Sequence, residues 1–327
     1  MLGVLAGRVT AVAAIAALAV MFAAPASAAS APAGPAHGTI RLSVPDAFVV
    51  GGQLVTVPGR TLHVQGVVRP YVPGQSVLVT AFAGRHELKR DRLSIKPAGG
   101  GRYGTFTENV SSPSAGLLTV QVGHKRTTTL GGLLARRSVV ALDERAGFGS
   151  RGPFVALIQQ RLAALHFYIP QTGVYDTGTG LALDAYHRLL HWGTYQTLDG
   201  RTISYLLDGF GEFKVRFPGH GRHAEGNLSL QLIALVDGSH VVSLYPTSSG
   251  KPSTPTILGD FRVYSKVPGY LPDGMYFSNF FHTGYAIHGY NPAPDYPASH
   301  GCMRVPIVDA ISIYNWLNIG NWVDVYY

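Results

Sequence analysis

One cysteine occurs in 327 residues. A single thiol excludes an intramolecular disulfide, and it leaves no cysteine near the N-terminus for lipid attachment. Charge is scarce as well. Only 13% of the residues are Asp, Glu, Lys or Arg, with 26 basic against 18 acidic and a net charge of +8. The positive balance suits anionic partners such as polymers or lipid head groups. No Lys/Arg cluster is interleaved with aromatics, which argues against nucleic acid as a partner. The longest apolar run, residues 9–22, is short for a membrane span. Glycine and proline are plentiful instead, 40 and 21 residues, and favour turns and short strands over long helices. The length accommodates two or three domains with a sizeable core.

The first residues have the form of an export signal: Arg8, the apolar run, and Ala26-Ser27-Ala28 preceded by Pro25. Residues 1–29 are therefore expected to be a signal peptide, with an uncleaved membrane anchor as the alternative. The expected location is extracytoplasmic. Residues 30–38, rich in Ala, Pro and Gly, read as a linker.

Residues 39–141 alternate apolar and polar positions, with strand candidates at 62–68, 76–82, 103–110 and 117–122. Short strands at this spacing predict an immunoglobulin-like β-sandwich. His63, His86 and His124 are scattered, so the unit is expected to be a spacer or a contact module. Over 142–209 the period changes. Phe154, Leu157, Ile158, Leu162 and Leu165 give one helical face, with Pro153 suited to its first turn. A second helix is expected over 181–190 and a third from a Thr202 cap through Leu207. From about Glu212 strands return, with a hairpin over 228–245 turning at Asp237-Gly238, strands at 261–264 and 285–288, a helix over 309–317 and a last strand over 322–327.

The cysteine sits in Ser299-His300-Gly301-Cys302-Met303-Arg304, which begins twelve residues after the start of Ile287-His288-Gly289. A thiol near histidines is a candidate nucleophile, because an imidazole can take its proton. The glycine beside it admits close approach of a substrate carbonyl. This string resembles the signature of the L,D-transpeptidase family of bacterial cell-wall enzymes. Ser249-Gly250-Lys251, the 254–261 segment and Ile319-Gly320-Asn321-Trp322-Val323 extend the resemblance over roughly the last hundred residues. Gly152, Ile158-Gln159, Leu162, Leu165, Gly173-Val174-Tyr175-Asp176 and Tyr186-His187 in turn resemble the small three-helix peptidoglycan-binding domain. Ile158-Gln159 and Tyr186-His187 depart from its usual residues, which weakens the expectation of glycan binding. The expected fold is multidomain and mainly β: an immunoglobulin-like β-sandwich (39–141), a peptidoglycan-binding-like helical domain (142–209) and a mainly-β catalytic domain with one short helix (212–327).

The resemblance implies acyl transfer. Cys302 attacks a stem-peptide amide, D-Ala leaves, and a stem amine resolves the thioester to give a 3-3 cross-link. Resolution by water (an L,D-carboxypeptidase) or by a protein amine (a wall-anchoring transferase) are the alternatives, followed by a catalytically silent wall-binding protein. The resemblance makes His288 the base, with the Gly289 carbonyl fixing its tautomer. His300 is a second candidate, as base assistant, oxyanion donor or loop holder. The Gly301 and Cys302 N–H groups are expected to form the oxyanion hole. Ser299 is expected to pin the loop, Arg304 to pair with a substrate carboxylate, and Tyr276 and His282 to line the pocket. Expected partners are peptidoglycan stems and glycan, with a carbapenem β-lactam acylating Cys302, and the protein is expected to be a monomer. No cofactor is expected. A zinc hydrolase using His288, Asp295, His300 and Cys302 is the competing reading, but the spacing fits no metal signature. Deletion of 142–209 is expected to leave small-substrate chemistry largely intact.

Overall fold

Alternating burial builds the N-terminal unit. Along Leu62–Arg69 every second residue is buried, the period that gives a strand one core-facing side. The computed structural model describes residues 34–327, so the expected signal peptide and residues 30–33 of the linker lie outside the described residues. The unit comprises β1 (Thr39–Ser43), β2 (Phe48–Val50), β3 (Gln53–Thr56), β4 (Leu62–Arg69), β5 (Ser76–Ala83), β6 (His86–Ser94), β7 (Lys96–Ala98), β8 (Tyr103–Val110), β9 (Gly116–His124) and β10 (Leu133–Ala141). They form a sheet ordered β1-β4-β8-β7 and another ordered β2-β3-β10-β9-β5-β6. Val64, Val77, Phe106, Val120 and Leu130 belong to one core shared by the two.

Three helices follow: α1 (Pro153–Ala164), α2 (Thr177–Leu189) and α3 (Gly200–Asp208). Pro153 opens α1, where its missing N–H costs no hydrogen bond. The Asp176 carboxylate caps α2 by accepting from the Thr179 N–H at 3.0 Å. The expected Thr202 cap is corrected. Asp199 caps α3, with the Thr202 N–H donating to it at 2.7 Å, while the Thr202 hydroxyl pairs with His187 Nε2 at 2.9 Å.

Gln159 is wholly buried and ties α1 to the 172–174 turn. It accepts from the Gly173 N–H at 2.7 Å and donates to Val174 O and Thr179 Oγ1, both at 2.9 Å. Gln159→Leu is expected to destabilise the protein by roughly 2–4 kcal/mol, because buried backbone partners are orphaned. Denaturant unfolding measures this, and an unchanged midpoint contradicts it.

The C-terminal unit holds β11 (Arg222–Asn227), β12 (Leu232–Asp237), β13 (His240–Pro246), β14 (Gly259–Arg262), β15 (Ser265–Tyr270), β16 (Tyr276–His282), β17 (Tyr285–Gly289), β18 (Met303–Val305), α4 (Ile307–Trp316) and β19 (Trp322–Tyr326). One sheet runs β13-β12-β11-β19-β14 and the other β15-β16-β17-β18. Ile233, Phe281, Ile287, Met303, Ile313 and Val323 form the core between them, and α4 lies against β16 and β17. The hairpin turns where expected, with Asp237 opposite His240. Its first strand starts at Leu232 rather than 228, because Asn227 Oδ1 takes the Leu230 N–H at 3.0 Å and Gln231 adopts φ +51°. Among the described residues no helix is long and apolar enough to cross a membrane.

The helical unit is not a tethered bead. One apolar cluster joins Leu157, Leu162 and Tyr186 of the helices to Leu232, Ala234 and Leu244 of β12 and β13. The chain after α1 also adds to the β13 edge: Tyr168 N–H donates to Leu244 O at 3.0 Å, and Leu244 N–H donates to His166 O at 2.8 Å. The expectation that residues 142–209 can be deleted without harm to the chemistry is therefore corrected, since deletion strips one face of the sheet that supports the catalytic segment.

Candidate active site

Register places the candidate residues side by side. β17 and β18 run parallel, with Ile287 opposite Met303, His288 opposite Arg304 and Gly289 opposite Val305. Side chains alternate along strands and registered partners share a face. Ile287 and Met303 point into the core, both wholly buried. Their neighbours Ala286, His288, Cys302 and Arg304 therefore lie together on the opposite face. Gly289 is needed behind them: a Cβ there would meet Ala310 of α4 at 2.8 Å.

Ser299 shapes the turn that carries the thiol. It is wholly buried, donates its hydroxyl to Cys302 O at 2.6 Å and accepts the Gly301 N–H at 3.0 Å. The expectation of two oxyanion donors is thereby corrected. The Gly301 N–H is already committed to Ser299 Oγ, whereas the Cys302 N–H has no acceptor among the described residues. Gly301 has φ +124°, and a Cβ there would lie 2.6 Å from the Tyr285 ring. Beneath the turn, Ser249 O accepts the Ala298 and Ser299 N–H groups at 2.9 Å. Lys251 N–H and Thr254 Oγ1 donate to Ser299 O at 3.0 and 3.1 Å. The 249–256 stretch is thus the floor of the cysteine turn.

His288 is 3% exposed. Its Nδ1 lies 2.9 Å from Gly289 O. A carbonyl only accepts, so Nδ1 carries the hydrogen and Nε2 keeps its lone pair. Burial pushes the imidazole down to about 4, outweighing the Gly289 carbonyl. Burial pushes the Cys302 thiol up, against a smaller lowering by the Ala286 N–H and Arg304. The resting pair is therefore neutral thiol and neutral imidazole. Cys302 Sγ–H donates to Gly284 O at 3.5 Å, and no hydrogen bond joins it to His288 among the described residues. Such contacts tighten when substrate enters.

The other candidates separate. His300 is exposed, and its Nε2 accepts from Lys251 Nζ at 3.2 Å. The Arg304 guanidinium stacks 4.0 Å over the Tyr290 ring and pairs with no carboxylate among the described residues. Tyr276 packs on Tyr270 at 4.4 Å and on Phe277 at 4.6 Å, opposite Gly289. His282 is exposed on the hairpin, 5.4 Å from Phe261. The proposed zinc set does not assemble, because His300 faces Lys251 and Asp295 lines a separate cavity with Asp184 and Arg188. Ligand-type atoms of His220, Asp260 and Asp324 do lie within 4.8 Å of one another, but on other elements. Sequence reading missed Gly284, Tyr285 and Tyr290. Their only signal is position, at the hairpin turn, on the strand of His288 or one residue past its end.

The buried imidazole also shapes acid stability. The folded protein binds this proton more weakly than the unfolded chain. Its contribution is therefore complete above pH 6.5 and is lost as the pH falls toward about 4, by up to about 3 kcal/mol. Asp309, pushed up to about 7 by burial, acts with the opposite sign over an overlapping window. The His288 share is read as the difference in unfolding free energy between wild type and His288→Gln. A difference that does not change across that window contradicts the assignment.

Residues 221–325 match the family description of YkuD, the L,D-transpeptidase catalytic domain. Among solved structures, an L,D-transpeptidase from Xylanimonas cellulosilytica DSM 15894 is 29% identical over 57% of this chain and 98% of its own, with a TM-score of 0.51. That share exceeds the span of residues 221–325, so the likeness reaches beyond the catalytic match. An L,D-transpeptidase from Stackebrandtia nassauensis is 18% identical over 56% of this chain and 95% of its own, with a TM-score of 0.34. The catalytic domain of the E. faecium L,D-transpeptidase acylated by ertapenem is 24% identical over 32% of this chain and 97% of its own, with a TM-score of 0.28. No curated protein matches the chain.

Proposed function

We propose that this chain, whose residues 221–325 form an L,D-transpeptidase catalytic domain, is an exported peptidoglycan L,D-transpeptidase with Cys302 as nucleophile and His288 as base. The observation that carries the reading is the shared face of β17 and β18. It sets a neutral imidazole with a fixed tautomer beside the thiol and an arginine that has no carboxylate partner among the described residues.

The chemistry follows from those atoms. Cys302 Sγ attacks the stem carbonyl as His288 Nε2 takes its proton. The carbonyl oxygen becomes an oxyanion and accepts from the Cys302 N–H. The intermediate collapses to a thioester, the C–N bond breaks, and His288 returns the proton to the leaving D-Ala amine. The amine of a second stem then attacks the thioester and yields its proton to His288. The new amide forms, and the thiol recovers the proton. Arg304 suits a stem carboxylate, because its planar fork can bind both oxygens. A carbapenem would acylate the same sulfur. Water in place of the amine gives the carboxypeptidase outcome, and a protein amine gives wall anchoring.

The remaining units fit action at the wall. The two-sheet unit at 39–141 is read as an immunoglobulin-like spacer and the helical unit as peptidoglycan-binding-like, behind a signal peptide at 1–29. Mass spectrometry of products from purified tetrapeptide muropeptides tests the reaction. Cross-linked dimers with release of D-Ala support transpeptidation. Tripeptide stems alone assign carboxypeptidation, and unchanged muropeptides contradict both.

A further inference from the structure

The helical unit reaches the catalytic turn through one side chain. Arg188, in the last turn of α2, forms an ion pair with Asp184 at 2.5 Å, and each side chain is 5% exposed. Its Nη1 crosses to the catalytic unit and donates to the carbonyls of Gln231 and Thr247, both at 2.9 Å.

Those two residues carry the supports of the cysteine turn. Thr247 Oγ1 donates to Arg304 O at 2.8 Å. The next residue, Ser248, exchanges two backbone hydrogen bonds with Arg304, at 2.8 and 3.0 Å. The Gln231 side chain accepts the Ser249 N–H at 2.9 Å and donates to Ser249 Oγ at 2.8 Å. Ser249 O in turn holds Ala298 and Ser299. Both supports, one on each side of Cys302, thus trace back to a single guanidinium. A cavity of about 190 Å³ lies beside it, lined by Asp184, Arg188, Thr247, Asp295 and Pro306 among others. This is space into which the 293–295 segment can relax if the anchor is lost.

We propose that Arg188 is a positioning residue for the acyl transfer, a part of the active-site machinery supplied by the helical unit, and that it holds the Cys302 turn and Arg304 in register against His288. A buried ion pair is a poor source of stability, because desolvation offsets the attraction. Its value here is directional. The guanidinium spans two carbonyls that no apolar side chain can hold. The inference rests on the acyl-transfer reading of Cys302.

The test measures carbapenem acylation and iodoacetamide alkylation of Cys302 in the full chain. Arg188→Met is expected to lower the maximal acylation rate roughly 10–100-fold, the effect of a small misplacement of reacting groups. The half-saturating carbapenem concentration stays near that of the wild type. Iodoacetamide, which needs no oriented carbonyl, labels at the wild-type rate. Arg188→Lys recovers part of the loss. Thr247→Val keeps the carbonyl that Arg188 holds but loses the bond to Arg304, and is expected to show the same split with a normal unfolding midpoint. It keeps the proposal testable if Arg188→Met does not fold. A folded Arg188→Met or Thr247→Val that acylates at the wild-type rate overturns the proposal. If the wild type takes iodoacetamide but neither carbapenem nor stem peptide, the acyl-transfer reading itself fails, and this inference fails with it.

Discussion

Cys302→Ser is expected to abolish acyl transfer, by roughly 10³-fold or more, while the fold persists. The sulfur is the one strong nucleophile on the shared face of β17 and β18. A serine hydroxyl is far harder to ionise than a thiol, and His288 is a weak base at about 4. The geometry around the turn should survive, because Ser299 bonds to the Cys302 carbonyl and not to its side chain. Circular dichroism and the unfolding midpoint should match those of the wild type. Retention of full turnover on tetrapeptide muropeptides would remove the cysteine from the mechanism.

His288→Ala is expected to slow carbapenem acylation by roughly 10²–10⁴-fold, the usual share of a general base. The thiol is protonated in the resting protein, so attack on a weak electrophile requires a proton acceptor at the moment of bond formation. In the proposed mechanism His288 Nε2 is that acceptor, since Nδ1 is committed to Gly289 O. His300→Ala is expected to change the rate by no more than about fivefold, because its imidazole is exposed and contacts the solvated Lys251 ammonium. The pH profile separates the two histidines. His288→Ala should lose the acid limb of acylation, whereas His300→Ala should keep it. The reverse pattern would assign the base to His300.

Much of this site was legible because its signal is local. The Ser-His-Gly-Cys turn and the His288-Gly289 strand end announce themselves by residue type, and the Gly289 carbonyl does hold the imidazole. The oxyanion donors were not legible. Only the folded turn reveals that Ser299 takes the Gly301 N–H. β4, β5, β8 and β9 of the N-terminal unit followed from alternation, and α1 from its apolar stripe, whereas the other six strands of that unit were not read. β11 was not singled out, because Arg222, His223 and Glu225 break the apolar alternation that marks a strand. In the fold it is a central strand, since Glu225 accepts from the Arg216 and Phe217 N–H groups and the Tyr326 hydroxyl. β15 was not singled out, because Pro268 and Gly269 interrupt its strand pattern. It lies at a sheet edge beside a bulge, where proline is tolerated. Arg188 carried no sequence signal. A basic residue in the last turn of a helix ordinarily faces water, and only the docking of α2 on β13 makes it internal.

The central claim is a thioester on Cys302. Intact-protein mass spectrometry with peptide mapping, after mixing the full chain with a tetrapeptide-stem muropeptide and no amine acceptor, tests it most directly. The account predicts a stem adduct on Cys302 shorter by one D-Ala, with D-Ala released in equal amount, and no adduct in Cys302→Ser. D-Ala release by Cys302→Ser at the wild-type rate, with no adduct on Cys302 in the wild type, would contradict it.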